Sequence, residues 1–197
     1  QGGARNFQVA ESHLKQPVAN QVVQRDANGL GSIPVALDDS LKDAEIVGAT
    51  VTPLASNPRG SSFVDAQLQG AAQLVDGKIV GVPTGGPYQI TVTYRQNGSA
   101  GATSAQPVFV GDLWVLAGQS NMEGVGDLTD VTPPNDKVMA LGMDDKWVKA
   151  EEPLHWLVDS PDPVHSGDPK TRAARSAETH KTRTKGAGLG LPFATTM

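Results

Sequence analysis

From about Asn6 to Val110 the chain alternates short β-branched runs with clusters of turn-forming residues. Val22-Val23, Ile33-Pro-Val-Ala36, Glu45–Val51, Gly77–Val82 and Tyr88–Tyr94 each read as a strand. The last is the clearest, with Ile90, Val92 and Tyr94 on one face and Gln89, Thr91 and Thr93 on the other. Turn signals fall between them at Asp26–Gly29, Asn57–Gly60, Asp76-Gly77, Gly85–Pro87 and Asn97-Gly98. Short, turn-bounded strands at this spacing predict a small antiparallel β-sandwich-like domain over residues 1–107. Gly98–Gln106, polar and made of small residues, reads as a crossing segment or a loose hairpin tip before Pro107–Val110.

The texture then changes. Leu113-Trp-Val-Leu-Ala117 is a continuous apolar run, the pattern of a strand buried on both faces of a parallel α/β sheet. It ends in Gly118 and breaks into the polar turn Gln119-Ser-Asn-Met-Glu-Gly124. Residues 125–185 are mostly irregular and Pro-rich, with weak strand or helix signals near Val138–Met143 and Ala173–Thr179. Leu189–Met197 reads like the opening of a new element, so a truncated second domain is expected over 108–197.

Composition narrows the function classes. With 22 glycines and 14 prolines in 197 residues, against a usual roughly 12% for the pair, long helical bundles are disfavoured. No cysteine means no disulfide, zinc-thiolate site or thiol nucleophile. A net charge of −5 argues against nucleic acid as the main partner, and no run approaches the about 18 apolar residues of a membrane span. His13, His155, His165 and His180 lack paired-ligand spacing, so no metal is expected. Gly186-Ala-Gly-Leu-Gly190 lacks the preceding apolar strand of a dinucleotide loop, and no cofactor is expected. Nothing in the sequence sets the oligomeric state.

The sharpest chemical feature is Gly118-Gln-Ser-Asn-Met122 directly after the apolar run. A strand that ends in Gly and turns abruptly presents a serine hydroxyl at the carboxyl edge of a sheet, where ligands bind. The amides around Ser120 are then free to donate to a developing oxyanion. The same turn chemistry also serves ordinary loops, with Ser and Asn satisfying local backbone groups.

Residues 110–124, Val-Gly-Asp-Leu-Trp-Val-Leu-Ala-Gly-Gln-Ser-Asn-Met-Glu-Gly, closely resemble the nucleophile block of the sialate O-acetylesterase-like branch of the SGNH hydrolases. Gly186–Ala194 resembles a family segment that opens a helix before the next core strand. The resemblance implies an α/β, flavodoxin-like parallel sheet beginning at residue 108, preceded by a β-sandwich-like region. It makes Ser120 the nucleophile, with Gly118, Gln119 and Asn121 as candidate oxyanion or substrate contacts. The implied reaction is hydrolysis of carbohydrate acetyl esters through an acyl-enzyme, with a His base and an Asp that orients it. It also implies a secreted or periplasmic protein. The family's later Gly-x-Asn-Asp block is not evident here, and its Asp-x-x-His pair belongs near the end of the domain.

Asp162-Pro-Val-His165 spells Asp-x-x-His, but it follows Ser120 too closely and sits in a Pro-rich loop, so it reads as a decoy. His155 and Trp156 either line a sugar pocket or anchor a loop through Leu154, Trp156 and Leu157. Trp114, within the apolar run, reads as core. Lys170, Arg172, Arg175, Lys181, Arg183 and Lys185 form a basic run that suits an acidic sugar or merely a solvated loop. The rival to an esterase is a non-catalytic fragment, or a module whose first domain docks carbohydrate or a companion domain. Against a sugar platform stands its aromatic poverty: Phe7, Phe63, Tyr88, Tyr94 and Phe109 are all it has.

Overall fold

The computed structural model of the protein describes residues 12–54 and 72–197. The expected turn Asn57–Gly60, the start near Asn6, and Phe7 and Phe63 lie outside those residues. The described chain is mostly short strands in several small sheets, with few helices. It divides into two compact units, residues 12–54 with 72–112, and residues 113–197.

The first unit runs β1 (Leu14–Gln16), β2 (Val22–Gln24), β3 (Leu30–Pro34), β4 (Ala36–Leu37), β5 (Glu45–Pro53), β6 (Gln73–Val75), β7 (Lys78–Pro83), β8 (Gly85–Gln96) and β9 (Ser99–Gly111). One sheet has the order β2-β9-β8-β5, a second β3-β7-β6, and β1 pairs with β4. These pairs are antiparallel except β2 with β9, where Val22 lies opposite Phe109 and Val23 opposite Val110. Ile33, Ile79 and Val82 from the three-stranded sheet join Val51, Ile90, Val92 and Val108 from the four-stranded sheet in one buried cluster. Tyr88 is buried in it and donates its hydroxyl to the Pro83 carbonyl at 3.0 Å.

Turn chemistry explains the hairpins. Asp76 and Gly77 (φ 47° and 71°) join β6 to β7, and Asn97 and Gly98 (φ 51° and 79°) join β8 to β9. Two consecutive left-handed residues match the strand twist that a two-residue hairpin requires. Here the structure corrects the sequence reading. Residues 99–106 are neither a crossing segment nor a loose tip but the first half of β9, with Ser99 opposite Gln96. Its inward residues, Thr103 and Ala105, are buried yet small, so the alternation carries little hydrophobic contrast. β9 therefore runs unbroken through residue 107 to Gly111. Asp112 follows, fixed by Arg25, whose Nε and Nη2 lie 2.9 and 2.7 Å from Oδ2, and by a hydrogen bond that the Gln24 side-chain Nε2 donates to Oδ1.

The second unit contains α1 (Ser120–Glu123), β10 (Gly126–Asp127), β11 (Met139–Leu141), β12 (Trp147–Lys149), α2 (Pro163–Ser166), α3 (Arg172–Thr182), β13 (Lys185–Ala187) and α4 (Gly190–Thr196). β11 and β12 form a hairpin, and β10 pairs with β13. The weak signals at 138–143 and 173–179 correspond to β11 and α3. Leu113–Ala117, expected as a buried strand, has no regular secondary structure and is exposed, Val115 by 83% and Trp114 by 52%. A strand buried on both faces needs pairing neighbours and covering layers. Among the described residues no strand pairs with 113–117. Among the described residues, Ala150, Pro153, Val158 and Leu191 are the buried apolar ones of this unit, a thin core compared with that of the first unit. No helix among the described residues is long and apolar enough to cross a membrane.

Candidate active site

Ser120 opens α1, a single helical turn. Gln119 stands before it in extended backbone (φ −106°, ψ −151°), and its carbonyl accepts the amides of Met122 and Glu123 at 2.8 and 3.1 Å. The Ser120 carbonyl accepts the Gly124 amide at 2.9 Å and closes the turn. The amides of Ser120 and Asn121, first-turn donors, find no carbonyl among the described residues. Gln119, Ser120 and Asn121 are all exposed, and Ser120 Oγ has no hydrogen-bond partner among the described residues. Gly118 packs against Met122, where an added Cβ would come within 2.5 Å of the Met122 Cγ. The turn thus presents together a hydroxyl and two amides without carbonyl partners among the described residues.

A second segment straps the turn. Gly126 pairs with Ala187 and Asp127 with Lys185, and the Leu128 amide reaches the Thr184 carbonyl at 2.9 Å. Gly124 adopts φ +109°, and any Cβ there would collide with the Gly186 carbonyl. At Gly188 a Cβ would contact the Gly124 Cα at 3.4 Å and the Met122 carbonyl oxygen at 3.6 Å. Gly190 lies under the Leu116 and Leu154 side chains, and Phe193 meets Trp114 edge-on at 5.3 Å. The exposed Trp114 therefore belongs to this contact and not to a buried sheet. The two segments quoted for their family resemblance, far apart in sequence, are packed on one another.

Residues 110–197 match the model of a carbohydrate esterase family, the sialic acid-specific acetylesterases. Neither the curated proteins nor the solved structures yield a match.

Among the described residues, three groupings of Ser, His and Asp can be tested as catalytic partners, two within the matched segment and one in the first unit, and none has the required order. Asp162 caps α2, its Oδ1 accepting the Val164 amide at 2.9 Å, while His165 sits exposed on the same short helix. Asp162 is thus committed to the backbone. Asp159 accepts from Ser176 Oγ at 2.5 Å and lies 2.7 Å from His180 Nε2, so the carboxylate stands in the middle. A triad needs the imidazole in the middle, between hydroxyl and carboxylate. In the first unit, Ser40 Oγ (3.1 Å) and Asp38 Oδ2 (3.5 Å) both approach His13 Nδ1, and Ser40 also donates to Asp38. Both partners crowd one ring nitrogen, where a triad uses both.

Trp156 stacks on His180 at 3.7 Å between centroids, and the Arg183 guanidinium lies 5.4 Å from its ring. The Arg183 Nη1 bonds the His155 carbonyl at 3.3 Å, and Leu154 and Leu157 are half-buried. That is a loop anchor, joining the 155–159 segment to α3. The three arginines of the basic run are occupied too: Arg175 donates to the Ser166 carbonyl at 2.7 Å, Arg172 to the Pro161 carbonyl at 3.3 Å, and Arg183 also to the Lys185 carbonyl. A polar cleft of about 370 Å³ in the first unit, lined by His13, Gln89, Thr91, Tyr94, Thr103 and Ser104, contains no residue of the serine turn. The sequence reading missed Glu152, whose carboxylate accepts the Gly188 and Leu154 amides, each at 3.3 Å. Its only sequence signal is a carboxylate beside Pro153, which is not distinctive.

Proposed function

We propose that the protein is a serine esterase that removes O-acetyl groups from carbohydrates, with Ser120 as nucleophile. The exposed Ser120 hydroxyl, set beside the unpaired amides of Ser120 and Asn121 inside the family-matched segment, carries this reading. Ser120 Oγ attacks the acetyl carbonyl while a histidine takes its proton. The C–O bond to the sugar breaks, and the sugar oxygen leaves with that proton. Water then adds to the acetyl-serine carbonyl while the same histidine accepts its proton, the bond between the acetyl carbon and Ser120 Oγ breaks, and Oγ takes up that proton as acetate departs. The amides of Ser120 and Asn121 support the oxyanion in both steps, a contribution of roughly 3 kcal/mol for one such donor. None of His13, His155, His165 and His180 is hydrogen-bonded to Ser120 here, so the base is a histidine still to be brought to it.

In this reading residues 1–107 form a β-sandwich-like accessory domain, supported by the buried cluster shared between two sheets. Residues 108–197 form the N-terminal part of an SGNH-type domain in which Leu113–Ala117 becomes a sheet strand, supported by its exposed apolar row. Export, and a sialate or a plant polysaccharide as the acetyl carrier, are part of the same proposal. The test is acetate release by the intact protein and by its Ser120→Ala variant. Release that survives the substitution overturns the assignment. No release from either favours the non-catalytic or docking alternative.

A further inference from the structure

We infer that Glu152 is a positioning residue for the serine turn, an inference that rests on the reading of Ser120 as nucleophile. The strap across the turn, residues 185–193, carries glycines at 186, 188 and 190. Glycine loses more backbone freedom on ordering than any other residue, so such a segment needs fixed points. Its first part is fixed by the pairing of β13 with β10, and its last part by α4. Gly188, between the two, belongs to neither element, and its amide goes to Glu152 Oε1 at 3.3 Å. The other carboxylate oxygen takes the Leu154 amide at 3.3 Å, and the Leu154 side chain covers Gly190. One carboxylate therefore ties the 152–154 loop to the unpaired link of the strap.

That link backs the exit of the serine turn. Gly188 lies against the Gly124 Cα and the Met122 carbonyl oxygen, and the Gly124 amide is the one that bonds the Ser120 carbonyl. With Glu152 removed, Gly188 keeps its neighbours but loses its anchor. The turn's closing bond then opens more often, and the Ser120 hydroxyl and the two amides lose their common alignment. Misalignment of this kind costs rate with little effect on substrate affinity.

Amide hydrogen exchange of the chain and of Glu152→Ala and Glu152→Gln tests the coupling, with the β11–β12 hairpin amides as a folding control. The expected result is exchange about tenfold faster at Gly188, Leu154 and Gly124 in Glu152→Ala, the loss of a bond to a charged acceptor. In Glu152→Gln, which keeps one acceptor oxygen, the increase is smaller, and the hairpin stays at its native rate in both. Faster exchange at Gly188 with Gly124 unchanged overturns the inference, because the anchor then does not reach the turn. In the intact protein kcat for acetate release should fall about tenfold in Glu152→Ala with KM unchanged, and recover in part with Gln. An unchanged kcat in an active enzyme also overturns the inference. Acetate release insensitive to Ser120→Ala instead removes the reading of Ser120, while the Gly124 exchange still decides whether Glu152 holds the turn.

Discussion

A methyl group at position 124 has no room. Gly124 combines φ +109° with a backbone carbonyl, that of Gly186, in the space a Cβ would take. Gly98 also has a positive φ, +79°, but nothing lies within 4 Å of its would-be Cβ. Gly124→Ala is therefore expected to cost about 3 kcal/mol and to part the strap from the serine turn, whereas Gly98→Ala costs only about 1 kcal/mol of backbone strain. Urea unfolding of the two variants checks this, and equal costs would show that the Gly124–Gly186 contact is not tight. A second residue-scale prediction concerns Asp38. The Ser40 hydroxyl, foremost among its partners, with the Ser40 amide and His13, holds Asp38 below the usual carboxylate range against the opposing effect of burial. A carboxylate depressed in the folded state stabilises the fold above its unfolded pKa, and that contribution is lost as pH falls through the folded value. Ser40→Ala should raise the Asp38 pKa, so the acid-side loss still begins near the unfolded pKa but is smaller and is complete at higher pH. An NMR titration of the Asp38 carboxyl that is unmoved in the variant would contradict this.

At the scale of elements, β8 shows what a sequence can reveal. Ile90 and Val92 alternate with Gln89, Thr91 and Thr93, and both valine and isoleucine are fully buried. Ile90→Ala should accordingly destabilise the first unit by roughly 2–5 kcal/mol, seen as a lower urea midpoint by far-UV circular dichroism. The Asp76-Gly77 and Asn97-Gly98 turns were equally legible, because left-handed pairs have few other uses. The front of β9 was not, since Thr103 and Ala105 fill their inward positions with small side chains. Leu113–Ala117 reads as a buried strand because apolar runs encode the desire for burial, while the ladder itself depends on partners elsewhere. The serine turn was legible from its motif. Its strap was legible only as a second motif, because the packing of Gly124, Gly186 and Gly188 is a backbone contact with no side-chain pattern to announce it. Glu152 and the arginines that bond carbonyls were hidden for the same reason.

For the whole molecule, the two units differ in how much they bury. The first has a continuous cluster drawn from two sheets, and the second buries Ala150, Val158 and Leu191 while leaving Leu113, Trp114 and Val115 exposed. Trp114, Trp147 and Trp156, all three tryptophans of the chain, lie in the second unit. Tryptophan fluorescence should therefore report unfolding at lower urea than far-UV circular dichroism, which follows mainly the strands of the first unit. Coincident transitions would mean that the two units unfold as one. The central claim concerns chemistry, and one measurement reaches it most directly: acetate released from an O-acetylated sialic acid and from an acetylated xylo-oligosaccharide by the intact protein and its Ser120→Ala variant. Release from at least one substrate that falls roughly a thousandfold or more in the variant is the predicted result. Release that continues undiminished without the Ser120 hydroxyl would contradict it.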